Sequence, residues 1–224
     1  VKRGFLYQGQ HYLWQKKPRG SQVTTEPAAA FVHYIQNHDQ VANHLRGERL
    51  HVLTNPARVR AMTALLLLAP ETPLLFMGQE FGASSPFLFF ADHNSALAPE
   101  VHKGRKAFLA QFPSYATPEA QREIPDPRRD STFLQSKLDF SEREKHAGIY
   151  RPPQDLPTLR REAPILPLQS REGIAGAVLG PRAFVLRFFG KEGDDRLLVV
   201  NLGPDLDLRP APEPLLAPVK GGAW

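Results

Sequence analysis

The sequence predicts an α/β fold that runs into a small all-β domain, and three observations carry that prediction. First, residues 30–36 are strand-like, residues 56–69 place apolar side chains at helical spacing, and Thr72–Met77 ("TPLLFM") is a short continuous apolar run. Strand, helix and strand in that order make a βαβ unit with a parallel pair and a right-handed crossover. Second, "QNHD" (36–39) and "GQEFG" (78–82) stand where the two strands would end, followed by long excursions at 40–55 and 78–140. Loops after the strands of such folds are where reacting groups gather, because strands fix position while loops vary chemistry. Third, from Ile165 onward the apolar period changes to two, which predicts strands.

Residues 1–29 are polar, with Gly4, Gly9, Pro18, Gly20 and Pro27 punctuating Tyr7, Tyr12 and Trp14, the composition of a long loop with room for one short helix. Asn55 reads as an N-cap and Pro56 as the first helical residue, where a missing N–H costs nothing. Val59, Met62, Leu65, Leu66 and Ala69 then share one face, and Pro70 stops the helix. The continuous run at 72–77 suits a strand covered on both faces. Ser141-Glu142-Arg143-Glu144 has the spacing of a capping box, with Ser141 as N-cap. The helix it would start meets Pro152, Pro153 and Pro157, and an interior proline costs about 3 kcal/mol through a lost hydrogen bond and a ring clash. A break is expected near Tyr150, with Leu159-Arg160-Arg161-Glu162 as a separate turn. "GAVLG", "AFVLRFFG" and "RLLVVNLG" are three further strands. The expected division is residues 1–163 and a β domain over 164–224, small enough to lean on the first part.

A chain of 224 residues with 42% hydrophobic content can bury an ordinary core and should be globular and soluble. Its longest apolar run, Ala64–Ala69, falls far short of the roughly 20 residues a membrane span needs, so no membrane partner is expected. There is no cysteine, which removes disulfides, thiolate catalysis and Cys-ligated zinc, and a cytoplasmic location fits. The net charge of +5 is scattered among acidic residues with no stacking-aromatic signature, so no nucleic-acid partner is expected. The start, Val1-Lys2-Arg3-Gly4-Phe5, lacks an initiator Met and the order of a signal peptide, and the expectation is a chain that begins in mid-protein. The 22 prolines imply long, stiff connections, which carry function more often than short ones.

The polar candidates at the strand ends are His38, Asp39, Arg46, Glu48, Gln79, Glu80, Asp92 and His93. A His38-Asp39 step fits a general acid with its orienting partner, half of a metal site, or a histidine bonded to backbone beside an aspartate that caps the next turn. Two strand ends that both terminate in carboxylate-bearing clusters favour a site. On spacing alone Asp39 and Glu80 read as paired carboxylates on adjacent strands, a glycosidase-like arrangement. Metal binding has less support, since no His-x-x-x-His or clustered Asp pattern occurs, and no cofactor is expected. Phe87, Phe89 and Phe90, like Tyr12 and Trp14, read either as packing under a loop or as faces that stack on sugar rings. Arg58 and Arg60, in the first turn of a helix, read as solvated.

"FVHYIQNHDQVANHLRGERL" (31–50) resembles the fourth conserved region of the alpha-amylase superfamily of glycoside hydrolases, where a His-Asp pair ends the seventh strand of a (β/α)8 TIM barrel. "TPLLFMGQEFGASSPFLFFADHN" (72–94) is similar to the eighth-strand segment of one branch, the malto-oligosyltrehalose trehalohydrolases, and "YQGQ" with "PRG" upstream suits that branch. The resemblance covers roughly residues 3–203. It implies that residues 1–163 hold the seventh strand, seventh helix, eighth strand and eighth helix of such a barrel, with a truncated β-sandwich over 164–224.

For the site, the resemblance implies that Asp39 grips sugar hydroxyls and favours the oxocarbenium-like transition state while His38 bonds the same sugar. Gln36, Asn37, Gln40, Arg46, Glu80 and Phe81 join them as substrate-binding positions. This replaces the pairing of Asp39 with Glu80, because the family's nucleophilic Asp and acid/base Glu come from the fourth and fifth strands. The chain would then lack the N-terminal part of the barrel and be inactive alone. The implied substrate is a maltooligosyl-trehalose or another α-glucan, cut with retention at the α-1,4 bond next to the trehalose end in trehalose biosynthesis. A glycogen-branching or debranching enzyme of the same superfamily, or a noncatalytic carbohydrate-binding piece, is the alternative. The sequence departs from the branch at Gln79-Glu80-Phe81, where Glu-Glu-Trp is expected, and at Pro152, Pro153 and Pro157, where the family has a continuous eighth helix. The ending "GGAW" reads as a cut before the last domain closes.

Overall fold

A computed structural model describes residues 5–13, 15–22, 25–147, 155–163, 165–166, 173–219 and 221–224. The N-terminal stretch contains a hairpin where a loop with one short helix was expected. Strand β1 (His11–Tyr12) pairs antiparallel with β2 (Lys17–Pro18), and a single 3-10 turn follows at Ala28–Ala30. The hairpin is pinned by Arg19, whose guanidinium lies 4.6 Å from the centre of the Tyr12 ring and 5.2 Å from that of Tyr7. Trp14 lies outside the described residues.

Strand β3 (Val32–His33) pairs in parallel with β4 (Thr72–Pro73), Val32 opposite Thr72 and His33 opposite Pro73. The parallel pairing agrees with the βαβ expectation, but each strand is two residues long. Pro73 has no N–H to give to the ladder, and the pairing ends with Leu74 N donating to His33 O at 2.7 Å. In the run 72–77, Leu74, Leu75 and Met77 are 38%, 39% and 45% exposed, so the expectation of cover on both faces fails there.

The connection holds α1 (His38–Ala42), α2 (Leu50–Leu53) and α3 (Pro56–Leu68). α3 starts as expected, with Arg58 N donating to Asn55 Oδ1 at 2.9 Å. The excursion after β4 is not loop alone, for it carries α4 (Ala98–Leu109), α5 (Pro118–Glu123) and α6 (Asp130–Gln135). The capping box at 141–144 does not form. Ser141 is the N-cap of α7 (Glu142–Lys145), as expected, but its backbone is helical (φ −65°, ψ −19°) and its side chain makes no capping bond. Ser141 N–H donates to Asp139 Oδ1 at 2.9 Å, the place the Glu144 side chain would have taken, while Glu142 accepts from Ser84 N at 2.9 Å and from Ser84 Oγ.

α8 (Asp155–Glu162) is longer than the turn expected at 159–162. Pro157 lies in its first turn, where no intrahelical N–H is needed, so it is tolerated. Pro152, Pro153 and the break near Tyr150 lie outside the described residues. Arg160 on α8 donates to Leu67 O at 2.8 Å, Glu71 O at 2.9 Å and Ala69 O, capping the carbonyls that α3 leaves open at its C-terminal end.

The three C-terminal strands appear as expected: β5 (Ile174–Gly180), β6 (Ala183–Phe188) and β7 (Arg196–Asn201), antiparallel in that order. Ile174, Leu186 and Phe188 pack with Leu68, Ala163 and Leu166 into one core. Buried Arg187 bonds Asp195 at 2.7 Å and Ala217 O at 2.6 Å, which ties the chain after β7 back to β6. Among the described residues this is one sheet covered by helix ends and loop, where a two-layered sandwich was expected.

By internal contacts the chain falls into two units, one of Val1–His33, Ala61–Leu74 and Pro152–Trp224, the other of Tyr34–Arg60 and Leu75–Arg151. The first joins β3 and β4 with the C-terminal sheet, so this division does not coincide with the sequence boundary at 163/164. The second holds the candidate site.

Candidate functional site

Asn37 organises the site's centre. Its backbone is extended (φ −142°, ψ −171°), its Oδ1 accepts from Asp39 N at 2.8 Å, and its own N–H donates to Gln40 Oε1 at 3.0 Å. That reciprocal capping box starts α1 and places His38 and Asp39 in the first helical turn, beyond β3 rather than at its end. The cap is Asn37, not Asp39. His38 and Asp39 are 67% and 69% exposed, with Nε2 3.4 Å from Oδ1.

Both open onto a cleft of about 500 Å³ whose walls include Phe87, Phe89, Phe90 and Arg105. The phenylalanines that read ambiguously in the sequence therefore face the same space as the His-Asp pair. Phe87 and Phe90 meet edge to face at 5.7 Å, and Phe90 meets Phe133 at 5.2 Å. Such a wall offers apolar faces beside a carboxylate and an imidazole, the mixture a sugar ring presents in complement.

Glu80 and Phe81 do not share that cleft. They line a separate hollow of about 340 Å³ with Arg143, whose Nη2 is 4.0 Å from Glu80 Oε1, so the structure does not bring Asp39 and Glu80 together as a pair. Gln36 is 3% exposed, and its amide is engaged by Leu50 N and Gln79 Oε1. Arg46 pairs with Glu123 at 3.1 Å and does not line the cleft. Asp92 borders a further hollow, of about 490 Å³, together with Phe90, Arg128 and Asp130. Among the described residues no three His, Cys, Asp or Glu side chains gather as a metal would require.

Two residues that sequence reasoning passed over shape the site. Arg49, 1% exposed, donates to Met77 O at 2.8 Å and Ser85 O at 2.6 Å and lies 5.4 Å from the Phe76 ring centre. It thus holds both ends of the turn that carries Gln79–Phe81. Burial lowers its pKa, while Glu80 and Glu142 act the other way. Arg105 donates to Ala42 O and Asn43 Oδ1 and stacks over Phe89 at 4.9 Å. Its only signal in the sequence is a basic residue on an amphipathic helix, which surface residues share.

One carboxylate beside an imidazole can bind hydroxyls and stabilise a developing positive charge. Retaining hydrolysis needs a nucleophile and an acid/base, and among the described residues Asp39 is the one carboxylate lining this cleft.

Over 209 residues the chain is 39% identical to a malto-oligosyltrehalose trehalohydrolase of Deinococcus radiodurans, covering 92% of this chain and 34% of that protein. The chain matches malto-oligosyltrehalose trehalohydrolases over most of its length. Another, from Arthrobacter ramosus, is 36% identical over 73% of the chain and 28% of its own length, and one from Saccharolobus solfataricus 34% over 66% and 24%. The chain thus spans about a third or less of the relatives it matches. Its fold is similar to a crystal structure from Salmonella typhimurium assigned as an alpha amylase, with TM-score 0.75, 34% identity, and coverage of 92% of this chain and 36% of that one. Residues 171–224 match a family model described as a domain of unknown function, DUF3459. The match to the Deinococcus radiodurans protein, at 92% of the chain, spans the segment that carries His38 and Asp39.

Proposed function

We propose that this chain forms the sugar-gripping part of a retaining α-glycosidase that cuts the α-1,4 bond next to the trehalose end of a maltooligosyl-trehalose. In this reading β3, α3, β4 and α8 are the seventh strand, seventh helix, eighth strand and eighth helix of a (β/α)8 barrel within residues 1–163, and residues 164–224 are its C-terminal domain. The observation that carries the reading is the exposed His38-Asp39 pair on an aromatic-walled cleft with no second carboxylate among its described lining residues. Asp39 holds sugar hydroxyls and stabilises the oxocarbenium-like transition state, and His38 bonds the same ring. The nucleophile and the acid/base are supplied by other strands of the barrel, so the isolated 224-residue chain releases no trehalose.

The test is calorimetric titration of the chain with maltooligosyl-trehalose, beside its Asp39→Asn variant. The variant is expected to bind about tenfold more weakly, the loss of one charge-assisted hydrogen bond. Equal affinity of the two proteins rejects Asp39 as the grip, and trehalose release by the chain alone rejects the division of labour.

A further inference from the structure

Helix α1 is five residues long and carries the His38-Asp39 pair in its first turn, yet a helix of that length has no stability of its own in water. Its N-terminal end is secured by the Asn37-Gln40 capping box. Its C-terminal end leaves carbonyls that need donors from elsewhere. Arg105, on α4, supplies them: one guanidinium nitrogen donates to Ala42 O, the last carbonyl of α1, and another to Oδ1 of Asn43, the C-cap. The positive charge also suits the negative end of the helix dipole. The same guanidinium is stacked over Phe89 at 4.9 Å and stands 5.9 Å from the centre of the Phe108 ring, so its fork has one orientation available.

We propose that Arg105 is a positioning residue for sugar binding, holding α1 from its C-terminal end so that His38 and Asp39 are fixed toward the cleft. It is the clamp that completes a helix the local sequence cannot hold by itself. The proposal rests on the Asp39 reading above. A lysine can place one point charge near Ala42 O but cannot span Ala42 O and Asn43 Oδ1 as a planar fork, so Arg105→Lys recovers only part of the function.

Two measurements on the 224-residue chain test this. In backbone hydrogen exchange, Arg105→Ala is expected to speed exchange at Val41 and Asn43, whose N–H groups donate to Asn37 O and Asp39 O, by about tenfold or more. In titration with maltopentaose, Arg105→Ala is expected to weaken binding about tenfold, Arg105→Lys by less, and Arg105→Ala in an Asp39→Asn background by less than about twofold. Unchanged exchange overturns the clamp. An equal loss in both backgrounds overturns positioning and makes Arg105 an independent contact. If Asp39→Asn binds maltopentaose like the parent, or the parent does not bind, the Asp39 reading fails instead, and the exchange data alone decide for or against the clamp. Should Arg105→Ala not fold, Asn43→Ala removes one acceptor only, with several-fold faster exchange at Val41 expected and no change counting against the clamp.

Discussion

Gln36 donates from Nε2 to Oε1 of Gln79 across 3.4 Å, linking the segments that follow β3 and β4 in the chain. The amides are buried and shared: Gln36 Oε1 accepts from Leu50 N at 2.9 Å, and Gln79 Oε1 also accepts from Phe76 N at 3.3 Å. The departure at Gln79 therefore has a structural role in this chain. Replacing Gln36 by Leu leaves Leu50 N–H without its acceptor and removes a bond to Gln79. The expected loss is about 2–3 kcal/mol, read from urea unfolding midpoints. A loss below about 0.5 kcal/mol would mean that water reaches these groups.

Gly78 has a left-handed backbone (φ +81°), and a Cβ there would lie 2.7 Å from both Ala83 Cβ and Leu138 Cδ2. Gly78→Ala combines backbone strain with an overlap on Ala83 Cβ, which unlike the Leu138 tip cannot swing aside, and should cost about 1–3 kcal/mol. Gly104 is the contrast. It lies within α4, and no atom stands within 4 Å of the place a methyl group would take, so Gly104→Ala should stabilise by about 0.5–1 kcal/mol. Opposite shifts in thermal midpoint check both, and a destabilised Gly104→Ala would refute the placement of α4.

Arg160 makes its bonds to the end of α3 with a charged donor, and each such bond contributes more than a neutral one. Arg160→Met keeps the aliphatic stem and removes the donors. An expected loss of about 3 kcal/mol follows, with Arg160→Lys recovering the smaller part. Chemical denaturation of the three proteins measures it, and equal stabilities would show the carbonyls to be solvated.

The side-chain hydrogen bond from Arg128 holds the Asp126 carboxyl well below the usual carboxylate range; burial opposes this, while Arg128 N–H and His102 reinforce it. A depressed folded-state pKa contributes stability that is present above the unfolded value of about 3.9 and is lost as pH falls through the folded value. The chain should therefore lose stability from about pH 4 downward, and Asp126→Asn should decline less steeply over that range. Thermal midpoints between pH 6 and pH 2.5 test the difference, and parallel curves would rule out Asp126 as a contributor.

Where structure depends on neighbours in the chain, the sequence was legible. Asn55 caps α3, Pro56 occupies its first position, and the period of two at the C-terminus gives β5, β6 and β7. The same local logic failed at the Ser141–Glu144 box, because the Ser141 N–H donates to Asp139 two residues back and the Ser141 backbone is itself helical, which leaves the reciprocal bonds with Glu144 no place. Of the helices in the 78–140 excursion, α5 and α6 are six residues each, too short to show a period, and α4 has Val101 as its one apolar residue between Pro99 and Ala107 with Gly104 at its middle.

By itself the sequence determined that His38 and Asp39 follow a strand and that the surrounding run resembles one glycosidase region. Only the tertiary structure decided which side chains share their cleft: Phe87, Phe89, Phe90 and Arg105 do, and Glu80, an equal candidate by spacing, does not. The same holds for the arginines. Composition reads a scattered cation as solvated, yet Arg49, Arg105, Arg160 and Arg187 donate to carbonyls between 28 and 93 residues distant in the chain. The physical reason is that capping and periodicity act within a few residues, whereas a guanidinium finds its acceptors through the path of the folded backbone.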